Sequence, residues 1–146
     1  MIATGFVQTG VGFLEGFGGQ PPPIWKLTPE GYCEIVVPAR ELFYHDLPVE
    51  EGDYWVSQLT KQAQLPLTEE GTYAYSGWKD VPVWYLATIE DKALPIDAQR
   101  MMVGFAKASG ADITLKQVQT SHSPMLSKPE ETAEFVADAV TAFVEK

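Results

Sequence analysis

The sequence predicts an α/β fold with about three parallel strands, flanking helices and an aromatic-rich helical lid. Three observations carry that reading. After residue 80, short β-type runs alternate with longer helical ones, a pattern that implies parallel pairing through crossover connections. The last of these helical runs has apolar residues at i, i+3, i+4 and i+7. Aromatic residues are concentrated earlier, 14 of the 17 lying between Phe6 and Tyr85.

In chain order, Ile2 to Gln8 is expected to form a weak first strand. Leu14 to Pro23 is rich in glycine and ends in three prolines, which predicts an extended, stiff loop. Short helices follow at Ala39 to Tyr44 and at Val49 to Gln62, the second with Pro48 at its start. Pro82 to Thr88 reads as a short buried strand, and Ile96 to Ser109 as a helix stopped by Gly110. Ile113 to Val118 is the next strand. Ser127, Pro129 and Glu130 then have the spacing of a capping box with proline in the first turn. The helix they open is expected to lie on the sheet through Ala133, Val136, Ala137, Val140, Phe143 and Val144. One domain, residues 1–146, is expected: a first strand over 1–8, a lid-like region over 9–80, and a strand-helix-strand-helix unit over 81–146.

Composition narrows the function classes. With 20 acidic and 10 basic side chains the formal charge is −10. That disfavours nucleic acid and anionic membrane surfaces as partners, because both need clustered Lys and Arg. The N-terminal stretch has no basic residue before Lys26, and glycines and Glu15 break its apolar residues. It reads as neither a secretory signal nor a membrane span. Cys33 is the only cysteine, which rules out an intrachain disulfide and suggests a packing residue in a cytoplasmic protein. Two histidines, one cysteine and no H-x-x-H or C-x-x-C give no metal-ligand spacing, and no G-x-G-x-x-G or Walker loop is present. No metal and no cofactor are expected.

Two turns carry residues suited to chemistry. Glu90-Asp91-Lys92 follows the strand ending at Thr88, and Ser121-His122-Ser123-Pro124 follows the strand ending at Val118. Turns at the carboxyl ends of neighbouring strands can share a site. Asp91 there can orient and charge-stabilise His122, and His122 can move a proton. The competing reading makes Asp91 a turn residue and His122 a group that only bonds within its own loop. His45, beside aromatics in the lid, reads as a packed or surface residue. Among the aromatics, Trp25, Phe43, Tyr44, Trp55 and Trp78, with Ser123 beside the base, are candidate contacts for a flat ligand; the alternative is that such rings form the core beneath a lid.

The motifs T-x-E-D-K-x-x-P and, some thirty residues later, S-H-S-P-x-L-S-x-P-E-E resemble the methylesterase and hydroxynitrile-lyase branch of the α/β-hydrolases. GFGGQPPPIW and ELFYHDLP, followed by a Trp in a short helix, are similar to the lid of the same group. The resemblance covers nearly the whole chain from about Gly5. It implies the family's acid at Asp91, its catalytic base at His122, and the strand before the lid at Ile2 to Gln8. Family members place a nucleophilic serine in a G-x-S-x-G elbow before the acid and the His. No such elbow stands in this sequence, and Ser76 in Ala74-Tyr75-Ser76-Gly77-Trp78 lacks the preceding glycine.

What results looks like the lid and acid–base half of a hydrolase without its nucleophile half. Three functions fit that description. The first is a nucleophile-free lyase, isomerase, dehydratase or cyclase in which His122 and Asp91 act on a small apolar or aromatic carbonyl compound. A lid Tyr such as Tyr44 or Tyr75 would then polarise the oxygen. The second is one part of an esterase whose serine lies elsewhere, and the third is a noncatalytic ligand-binding module. A strand at Ile2 to Gln8 would lack the neighbour it has in a full hydrolase, so pairing of that edge, or of the lid, predicts a homodimer.

Overall fold

The computed structural model describes residues 1–16, 18–69 and 71–144. Its centre is a parallel pair, β4 (Val83–Thr88) and β5 (Ile113–Val118), in register from Val83↔Ile113 to Thr88↔Val118. Between them runs helix α5 (Ile96–Ala108). Gly110, at φ 94°, supplies the left-handed residue that stops the helix.

Successive residues of β4 point to opposite faces of the sheet, and both faces are covered. Val83, Tyr85 and Ala87 pack with Val103 and Ala106 of α5 and with Ile113. Leu86 and Val118 pack with Phe135 of the C-terminal helix α7 (Pro129–Val144), joined by the partly buried Ile2 and Trp84. Three layers result, helix on sheet on helix. This arrangement explains why β4 reads as a nearly continuous apolar run.

The expected third parallel strand shrinks to one bridge, Ile2↔Leu86, which is nevertheless parallel as predicted. Ala3 is the reason. Its φ of 42° lies in the left-handed region, which breaks extended geometry, and residues beyond it bond to side chains instead. Thr4 N–H donates to the Tyr85 hydroxyl at 3.2 Å, which donates back to Thr4 O at 2.7 Å.

The lid-like region carries structure that the sequence reading missed. After the short helix α1 (Phe13–Gly16), three strands form an antiparallel sheet: β1 (Trp25–Leu27), β2 (Tyr32–Ile35) and β3 (Gln62–Ala63). Gly31, at φ 87°, makes the β1–β2 turn possible. The stretch from Leu14 to Pro23 is not extended, since Gly18 and Gly19 take φ of 80° and 79°; Phe17 lies outside the described residues. Helices α2 (Ala39–Phe43) and α3 (Val49–Ser57) occupy the predicted places, α3 ending earlier, with Gln62 paired in the sheet instead. A short α4 (Leu65–Thr68) and a 3-10 turn at Gly77–Lys79 complete the region.

The end of the chain needs two corrections. Ser127 does not cap α7 through its side chain, whose Oγ is turned into the interior; it closes a separate short helix, α6 (Pro124–Ser127). The predicted stripe does not meet the sheet either. Thr132 and Phe135 are the buried residues of α7, whereas Val136, Val140 and Phe143 are about half exposed. Those three line an apolar groove of about 330 Å³ together with Met1, Ile2, Pro82 and Trp84. Helix α7 is therefore apolar on two flanks, and only one of them lies against the strands. No helix among the described residues is long and apolar enough to cross a membrane.

This division predicts unequal sensitivity along α7. Phe135→Ala should lower stability by about 3–5 kcal/mol by opening a cavity under β4, while Val140→Ala should stay within about 0.5 kcal/mol, as exposed substitutions do. Urea unfolding curves of the two variants check the contrast.

Candidate active site

Both predicted chemical residues lie just past the carboxyl ends of the parallel pair. Backbone bonds extend the pairing beyond the strands, Ile89 N–H to Val118 O at 2.9 Å and Glu90 N–H to Thr120 O at 3.0 Å. The two turns are thereby held side by side. His122 Nδ1 stands 2.7 Å from Asp91 Oδ2, although the residues are 31 positions apart.

Asp91 is built in as an acceptor from all sides. Its carboxylate Oδ1 takes the N–H groups of Ala93 and Leu94 at 2.8 and 2.7 Å. Its Oδ2 takes the Thr88 hydroxyl at 2.8 Å and the Gln99 amide at 3.3 Å. The side chain has no exposure, while that of His122 keeps 29%. A carboxylate enclosed by donors accepts from the ring, so Nδ1 donates to it, and in the neutral ring Nε2 carries the lone pair. No hydrogen bond among the described residues engages Nε2.

Gln99 holds this arrangement together from α5 and is fully buried. Its Oε1 accepts from Thr88 N–H at 3.1 Å, and its Nε2 donates to Leu94 O at 2.7 Å, which fixes which end of the amide is which. The same Nε2 reaches Thr88 O and Thr88 Oγ1 at 3.2 and 3.0 Å. Tyr85, whose hydroxyl burial pushes up to about 12, also approaches Oε1 at 3.4 Å.

The lid meets the site at α2 and the turn after it. Phe43 lies against His122, ring centroids 5.5 Å apart. Ser121 donates its N–H to Asp46 Oδ2 at 2.8 Å and its hydroxyl to Phe43 O at 2.9 Å. Burial pushes the Asp46 carboxyl up, but the hydrogen bonds it accepts, those of Ser121 first among them, together outweigh it and hold the group below its ordinary range. Lys92 reaches Glu41 at 3.1 Å on the exposed side.

Of the expected ligand contacts, Phe43 is beside the base, and Tyr44 is buried against Phe43 rather than against the base, the two rings 5.9 Å apart. Ser123 follows His122 and is half-buried at the start of α6. Trp25 stands in the lid sheet and Trp55 packs on Tyr54; neither shares a ring contact with His122 among the described residues. Trp78 belongs to the core, edge-on to Phe6 and bonded to Val7 O, so its place is packing rather than ligand contact. Tyr75 donates its hydroxyl to Asp80 at 2.7 Å, which removes it as a donor for a substrate oxygen. Ser76 is tied to Thr9 and Val7 O, consistent with a structural serine. A hollow of about 680 Å³, lined by Gly10, Gly12, Leu14, Glu15, Thr68 and Glu69, lies apart from the dyad and includes none of the expected aromatics.

Sequence reading missed Gln99 and Asp46. Gln99 gave a signal, a polar residue on the apolar stripe of Ile96, Val103 and Ala106. Asp46 gave none, being one acid among many in the lid.

The strand-helix-strand unit thus carries an acid and a histidine together at adjacent strand ends of a parallel pair, beneath a helical segment. Residues 1–135 match the model of the alpha/beta hydrolase family, and the chain belongs to that family. Among solved structures it is similar to a pyrethroid hydrolase from Sphingobium faniae JZ-2, at 21% identity and a TM-score of 0.70, covering 99% of this chain and 61% of that one. It is also similar to polyneuridine aldehyde esterase, at 20% identity and a TM-score of 0.63, covering 87% of this chain and 54% of that one. No curated protein sequence matches. The chain thus spans about 61% of the length of the pyrethroid hydrolase.

Two outcomes follow for the site. Gln99→Leu leaves Thr88 N–H and Leu94 O unpaired in the interior, so it should destabilise by about 2–4 kcal/mol, measurable by denaturant unfolding. Asp46 has a depressed folded value, so its contribution is fully present above the ordinary aspartate value of 3.8 and is lost as pH falls through the lower folded value. Asp46→Asn should flatten that part of the acid-side stability profile, read by thermal unfolding across pH.

Proposed function

We propose that this chain performs acid–base chemistry on a small apolar or aromatic carbonyl compound through His122, without forming an acyl-enzyme on a serine of its own. The observation that carries the reading is the 2.7 Å contact between His122 Nδ1 and the enclosed Asp91, which leaves Nε2 as the available base. In a retro-aldol cleavage, for example, Nε2 takes the hydroxyl proton of a β-hydroxy ketone, the carbon–carbon bond breaks, and the electron pair passes to the enolate. The new imidazolium is stabilised by Asp91, and it returns the proton to the enolate carbon. Elimination and isomerisation use the same proton movements. Phe43 supplies an apolar wall beside the ring. Belonging to a hydrolase family supports an enzyme, and the tethering of Ser76 supports the absence of a serine nucleophile.

A second reading is favoured by a specific observation: the chain spans about 61% of the similar pyrethroid hydrolase, and its sheet ends in a single bridge at Ile2. On that reading His122 and Asp91 are the acid–base part of an esterase whose G-x-S-x-G elbow lies in another stretch of polypeptide.

Turnover of a panel holding aryl esters and β-hydroxy ketones separates the two. Under the first reading the chain cleaves a ketone unaided; His122→Ala abolishes this and Asp91→Asn lowers kcat by about 10²–10⁴-fold. Activity only on esters, and only after a polypeptide bearing the elbow is added, would establish the second. Inactivity under both regimes, with tight ligand binding, would sink both.

A further inference from the structure

The loop bearing His122 is held from the lid as well as from the sheet. Ser121, immediately before the base, is wholly buried and gives both its donors to one lid stretch, the N–H to Asp46 and the hydroxyl to Phe43 O. On the opposite side Glu41 bonds Lys92, the residue after the acid. Residues 41–46 therefore grip both turns of the dyad. The Glu41–Lys92 pair is half exposed and weakly stabilising. The Asp46 contact is partly buried and charge-assisted, a stronger class of bond. Helix α3 backs the stretch closely, since a Cβ on Gly52 would meet Tyr44 O at 3.4 Å. The stretch is thus braced from behind while it holds Ser121 in front.

We infer that Asp46 is a positioning residue for His122, so that this part of the lid and the proton-transfer pair keep their geometry together. Displacing the turn after α2 releases the Ser121 amide, and the ring then loses its fixed place against Asp91. The inference rests on reading His122 as the proton-transfer group, but its test reads ring geometry without turnover.

The experiment uses the full chain labelled with ¹⁵N. Ring ¹⁵N shifts report which nitrogen of His122 holds the proton, with signals assigned through His122→Ala, and amide exchange reports the Ser121 bond. The wild type should show one tautomer, protonated on Nδ1. Asp46→Ala should speed Ser121 exchange by about 5-fold, as expected for one lost hydrogen bond, and turn the ring into a mixture of tautomers. Asp46→Asn should keep the wild-type tautomer, because its side-chain oxygen still accepts, and Glu41→Gln should also keep it. An Asp46→Ala protein with faster exchange or lower stability but an unchanged His122 tautomer would overturn the inference. Should Asp46→Ala fail to fold, Asp46→Glu carries the test: the longer side chain moves the carboxylate off the Ser121 amide, so Ser121 exchange should quicken and the minor tautomer rise, and faster exchange with a ring signal like that of the wild type overturns the proposal. A mixed tautomer in the wild type itself counts against the dyad reading.

Discussion

The enclosed carboxylate of Asp91 is the constraint around which the molecule is arranged. A buried acid without partners is strongly disfavoured, so a chain that places one must surround it with donors. Here the end of β4, the turn after it and the first turns of α5 each contribute, through Thr88, Ala93, Leu94 and Gln99. The Asp91 turn is thus tied to the strand before it and to the helix after it, and His122 is the one partner supplied from β5. The contacts that tie the parallel unit together are thus the same ones that set the dyad.

The sequence made this unit legible because its signals are local. Val83 to Thr88 is a continuous apolar run, Ile113 to Val118 has sharp boundaries, and Gly110 marks a helix end that needs left-handed backbone. Placing Asp91 and His122 at strand ends required only those boundaries. The lid was less legible, since the pairing of Tyr32–Ile35 with Gln62–Ala63 joins stretches far apart in sequence and gives β3 just two residues. A tight turn at Gly31 was readable in principle, as Thr28-Pro29-Glu30-Gly31 lies between alternating residues.

Other misreadings came from treating a helical stripe as if it had one destination. The stripe through Val136 and Val140 is real, but the sheet is met by Phe135 and Thr132 on the adjacent flank. Periodicity reports that a face is apolar and not what covers it. Similarly, aromatic content alone did not separate Phe43, beside the base, from Trp78, inside the core.

The six matched pairs of β4 and β5 also bear on how this chain can change in length. Asp91 lies three residues beyond Thr88 and His122 four beyond Val118, with backbone bonds at Ile89 and Glu90 clamping the interval. Inserting or deleting one residue in either turn would move a side chain by one backbone step, about 3.3 Å, more than the length of the bond it makes. These two turns are closed to indels, whereas the Gly31 turn of the lid sheet can grow or shrink without disturbing the dyad.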